Sequence, residues 1–132
     1  MRYATALAGD PAATYRSVDL AGRAGGADGH GLVTLLYEEL VRALGTAAWA
    51  AENRNPGLRN ERVTRATAIL FALEAGLDFE RGGEVAHTLG RLYGGIRARV
   101  VDASLGNDPA PFRESAATLS EIAAAWSTIR AA

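Results

Sequence analysis

The stretch RVTRATAILFALEAGL, residues 62–77, decides the fold. Its apolar residues Val63, Ala66, Leu70, Leu73 and Leu77 recur at steps of three, four, three and four. That spacing is a heptad seam, one apolar stripe along an α-helix that needs facing helices to cover it. Working outward, Leu32, Val33, Leu36, Tyr37, Leu40, Val41 and Leu44 form a similar stripe upstream, continued by Ala47, Ala48 and Ala51. Asp28 is placed to cap that helix, and Asn55-Pro56-Gly57 ends it, so the second helix is expected from about Arg59. Downstream, Val85, Leu89, Leu92, Ile96, Val100 and Ala103 give a third helix after a short break at residues 78–83. Gly106-Asn107-Asp108-Pro109 ends it, with Asp108 or a neighbour capping a fourth helix that carries Phe112, Ala116, Leu119, Ile122, Trp126 and Ile129. Asp108-Pro109 and Pro111 suit the opening of that helix.

Four helices, each about 30 Å long at ~1.5 Å per residue, with short connections imply neighbours that fold back on one another. The expected fold class is all-α, an antiparallel four-helix bundle spanning residues 28–132. Residues 1–27 read as an N-terminal arm carrying a short helix between Asp10-Pro11 and the run GRAGGADG at 22–29. Two helical turns, over residues 12–20, are too short to be stable without docking.

The composition limits the chemistry. Of 132 residues, 48% are hydrophobic and 22% charged, and the formal charge is -1. A chain of this length buries roughly two-thirds of its unfolded surface, enough for one core. Near-neutral charge argues against nucleic acid or an anionic membrane as partner. All the basic side chains are Arg, and Cys is absent, which removes disulfides and thiolate chemistry. No window approaches the ~18 consecutive apolar residues of a membrane span, and no signal peptide opens the chain, so a cytoplasmic location is expected.

Glu84 and His87 stand three apart, as in carboxylate-bridged metal bundles, but His30 has Ala27 at the matching position and supplies no second copy. Glu84 is better read as a first-turn acid favoured by the helix dipole. The glycines at 22–31 follow no strand, and a phosphate-binding loop needs a Lys. No Ser has a His placed to activate it. These absences point away from an enzyme and from any cofactor or metal, towards binding. On the third helix Gly90, Gly94, Arg97 and Val101 share a side away from the core stripe, at ~100° per residue. Two small residues four apart let a partner helix approach closely, which offsets a glycine cost of about 1 kcal/mol each. Phe71 and Tyr93 also stand off the seams. Together Phe71, Gly90, Tyr93, Gly94, Arg97 and Val101 are the candidate groove for an amphipathic partner segment.

LDFERGGEVA at 77–86, followed by Leu89, Leu92-Tyr93 and Arg99, resembles the hallmark of the flagellar export chaperone family FliS. His30-Gly31-Leu32-Val33, Leu35-Leu36-Tyr37-Glu38, residues 103–108 and Ala125-Trp126 fit the same pattern, so the resemblance runs from about residue 15 to 129. It implies a cytosolic helical-bundle chaperone that binds the disordered C-terminal segment of flagellin. Such a chaperone blocks premature polymerisation and assists delivery to the flagellar type III export gate. It further implies that the arm contacts an export-gate component through Tyr15 and Val18, which fall where the family has a tyrosine and an aliphatic residue. Ala12 replaces an aliphatic residue of the family pattern, and Gly95 replaces an aromatic one, which would make the groove floor shallower. The alternative reading is an adaptor bundle that self-associates as a homodimer through the Gly90/Gly94 face.

Overall fold

Local capping chemistry sets where each helix begins. The computed structural model describes residues 29–131, which form α1 (Gly29–Glu52), α2 (Pro56–Ala75), α3 (Phe79–Ala103) and α4 (Ala110–Ala131). The expected cap at Asp28, the arm, Tyr15 and Val18 lie outside the described residues. No strand occurs among those described.

α2 starts three residues earlier than the apolar pattern predicts. Asn55 is its N-cap, its side-chain oxygen accepting the Leu58 N–H at 3.2 Å, and Pro56 occupies the first helical turn. Proline fits there because its missing N–H has no helical partner to lose. α3 likewise begins inside the expected break, with Asp78 as N-cap accepting the Arg81 N–H at 3.0 Å. One turn later Gly83 has φ 52° and ψ -129°, which interrupts the helix. That conformation is strained for any residue with a Cβ, so it accounts for one glycine of the pair. Gly82 is buried, and its N–H bonds to the Asp78 carbonyl at 2.8 Å. The first-turn acid of α3 is therefore Glu80. Glu84 follows directly after the interruption, at the start of the long regular run.

At the start of α4 the Asp108 carboxylate accepts the Ala110 N–H at 2.9 Å, so the expected capping holds. Pro111 falls in the first turn, where a missing N–H is harmless.

The helices run up and down around one core. His30 at the start of α1 meets Trp126 near the end of α4, and Glu52 at the other end of α1 pairs with Arg113 at 2.6 Å. Arg59 at the start of α2 reaches the far end of α3, where its Nη1 donates to the Gly106 carbonyl at 2.8 Å. Each of these contacts requires antiparallel neighbours. α1 supplies the most core residues, eleven of them, and lies against α2 and α4. The α2 seam is wholly buried from Val63 to Leu77. Burying one such Leu side chain contributes about 1.5–3 kcal/mol, so this seam is a main source of the bundle's stability.

The α3 seam differs from the expected one. Its buried positions are Gly82, Ala86, Leu89, Tyr93, Ile96 and Val100, at steps of four and three. Leu92 and Val85 flank that line half-buried. Tyr93 is therefore corrected from groove to core: it is fully buried, and its hydroxyl is hydrogen-bonded to that of Tyr37. A buried tyrosine is stable in such a place because the ring packs as a hydrophobe while the hydroxyl is satisfied.

Candidate binding groove

Heptad spacing on the outer side of α3 builds the site. After the interruption at Gly83, His87, Gly90, Gly94, Arg97 and Val101 follow steps of three and four, so they form a stripe along the helix on a different side from the core seam. Across from the second half of this stripe lies the edge of α2 that carries Thr67 and Phe71. Between them is a groove of about 570 Å³, lined by Thr67, Phe71, Gly94, Arg97, Ala98, Val101, Asp102 and Leu105.

Among the described residues, five large apolar side chains are exposed: Trp49, Phe71, Phe79, Val101 and Leu105. Three of these line the groove. Phe79, before the interruption at Gly83, meets that stripe, its ring 4.8 Å from that of His87. Only Trp49, on α1, belongs elsewhere. Clustering of this kind is what a docking surface needs, whereas apolar residues scattered singly over a surface are ordinary.

Polar groups close the Gly94 end of the groove. The Arg97 guanidinium lies 4.2 Å from the centre of the Phe71 ring, in the cation–π arrangement. Its Nη1 also pairs with Glu74 on α2. The space beside Gly94 opens on Glu74, whose Oε1 would be 3.7 Å from an added Cβ. A Cβ added at Gly95 would meet no neighbouring element within 4 Å, and the position is exposed.

Of the six residues expected in the groove, the structure brings together Phe71, Gly94, Arg97 and Val101. Gly90 is on the stripe but outside the groove. A Cβ there would lie 3.5 Å from Leu77 and 3.8 Å from Phe79, so the α2–α3 corner of the same chain flanks it. Tyr93 is in the core, as described above. Thr67, Ala98, Asp102 and Leu105 were missed. Ala98 and Leu105 continue the Gly94–Val101 stripe by the same steps, and Thr67 precedes Phe71 by one helical turn, so the spacing held that signal. His87 packs on Phe79, and no group of three or more metal-ligating side chains converges among the described residues.

The family model described as "Flagellar protein FliS" matches residues 11–132. This chain belongs to the FliS family. "Flagellar secretion chaperone FliSB" of Pseudomonas aeruginosa is 33% identical over 115 residues, which cover 87% of this chain and 91% of the relative. "Flagellar secretion chaperone FliS" of Salmonella typhimurium is 34% identical over 116 residues, covering 87% of this chain and 86% of that protein. The protein of the same name from Vibrio cholerae is 27% identical over 115 residues. FliS membership carries the coarse role of an export chaperone in the assembly of the flagellum. Among the described residues, no helix is long and apolar enough to cross a membrane.

Proposed function

We propose that this chain is a cytosolic chaperone for flagellin, and that it holds the disordered C-terminal segment of that protein as a helix in the α2–α3 groove. The observation that carries the reading is the gathering of Phe71, Val101 and Leu105 around Gly94 on one side of the bundle. An amphipathic helix can place its apolar face there, because glycine lets its backbone come close and the aromatic and aliphatic side chains supply contact area. A segment held in this way is unavailable for coiled-coil pairing with other subunits. Folding on binding costs ordering entropy, which keeps the affinity per unit area modest and favours release at the export gate. No nucleotide is required by such a cycle.

The arm would make the contact with the export-gate component, through Tyr15 and Val18. A self-associating adaptor is less well supported, because Leu77 and Phe79 of the same chain already flank Gly90. Calorimetry with intact flagellin and with flagellin lacking its last ~40 residues tests the reading, since coupled folding gives a large negative heat-capacity change. Binding to the intact protein alone is the expected result. Equal binding to both forms, or to neither, overturns it.

A further inference from the structure

The Gly94 end of the groove is not apolar. There Arg97, which lines the groove, pairs with Glu74 of α2 just beyond it, each side chain about a quarter exposed, 27% and 26% respectively. A helix laid over the groove removes that remaining exposure. Glu74 engages Nη1 of Arg97, whereas a guanidinium has five N–H donors, so a docked helix strips water from donors that the pair alone does not use. Leaving such donors buried and unsatisfied would weaken binding. An entirely apolar helix face is therefore the wrong complement to this surface.

A carboxylate on the docked helix is a poor complement too. Glu74 already compensates the Arg97 charge, and Asp102 lines the same groove. An added acid would put a second carboxylate on a guanidinium that Glu74 already neutralises, in a groove that Asp102 also lines. A neutral acceptor, an amide or hydroxyl oxygen, satisfies the donors without that repulsion.

Resting on the chaperone reading above, we propose that Arg97 is a specificity-determining residue, and that it selects a partner helix whose apolar stripe is interrupted by one neutral amide or hydroxyl side chain placed over the Arg97–Glu74 pair. This polar contact fixes the register of the docked helix. Sliding by one turn would bring an apolar side chain onto the guanidinium and the polar one onto Phe71 or Val101. The device is analogous to a single polar residue in a coiled-coil seam, which sets register at a cost in affinity.

A double-mutant cycle tests the proposal. The probe is a synthetic peptide of the last ~40 residues of the cognate flagellin, with each Asn, Gln, Ser and Thr replaced in turn by Ala. Affinities are measured for the unaltered protein and for Arg97→Met, whose fold is checked by denaturant unfolding. At one peptide position, Ala should weaken binding about tenfold to the unaltered protein and leave binding to Arg97→Met unchanged. An acidic residue at that position should also weaken binding, and Glu74→Gln should restore it; this arm serves even where Arg97→Met does not fold. Equal losses at every position on both proteins, or an acid tolerated as well as the amide, overturn the proposal while leaving the chaperone reading intact. Failure of the unaltered peptide to bind at all overturns both.

Discussion

Gly83 and Gly95 lie twelve positions apart on α3, yet they are glycines for unlike reasons. Gly83 has positive φ at the interruption between the first turn and the main run of the helix. An added Cβ there meets nothing within 4 Å, so the obstacle is backbone conformation alone. Gly83→Ala should lower stability by about 1–3 kcal/mol. Gly95 is in regular helix with equally open surroundings. Gly95→Ala should raise stability by about 0.5–1 kcal/mol, through helix propensity and a less flexible unfolded chain. Urea unfolding of the two variants checks both signs. Equal effects would mean that the conformation at Gly83 is not what the residue is there for. Tyr93 makes a similar point about reading single residues. It reads as an outlier only if Leu92 is assigned to the seam, and one step of register moves it from surface to core. A tyrosine is ambiguous in sequence because its ring suits either place, and here the Tyr37 hydroxyl makes the core acceptable.

At the scale of elements, periodicity carried most of the architecture. The 63–77 seam is buried throughout, and the stripe of α1 is too, apart from the half-buried Val41. Helix starts were less legible. Asn55 and Pro56 read as the end of one helix, while their capping geometry makes them the beginning of the next. Long-range polar clasps were not legible at all, because nothing in the sequence pairs His30 with a residue 96 positions away. In the structure the His30 ring stacks on Trp126 with centroids 4.1 Å apart. The indole N–H lies 3.3 Å from the His30 carbonyl and 3.2 Å from the Thr34 hydroxyl oxygen. This joins the start of α1 to the end of α4. Trp126→Phe keeps an aromatic ring at the clasp and removes the N–H. It should lower stability by about 1 kcal/mol in denaturant unfolding, and an unchanged midpoint would assign the clasp to the ring stacking and the His30 Nε2 bond to the Trp126 carbonyl.

At the scale of the whole molecule, the two ends of the proposed cycle fall on different parts of the chain. The groove belongs to α2 and α3, and the expected gate contact belongs to the arm. Tyr15→Ala should therefore leave flagellin affinity within about twofold and reduce flagellin export in cells. Loss of helicity by circular dichroism would make that Tyr a packing residue instead. The groove itself was partly legible. Four of its eight lining residues, Phe71, Gly94, Arg97 and Val101, stood out by spacing and by departure from the seams. The rest depended on how α2 lies beside α3, which a single helix pattern does not contain. Gly94 is the centre of this account, since its bare backbone lies between the apolar side chains of the two helices. Gly94→Trp would fill the groove from a half-buried position on the stripe beside the core seam. Its affinity for intact flagellin, measured by calorimetry alongside circular dichroism, tests the central claim most directly. The account predicts binding weakened at least about tenfold with helicity unchanged. Full affinity in a folded Gly94→Trp protein would contradict it and place the flagellin site on another face.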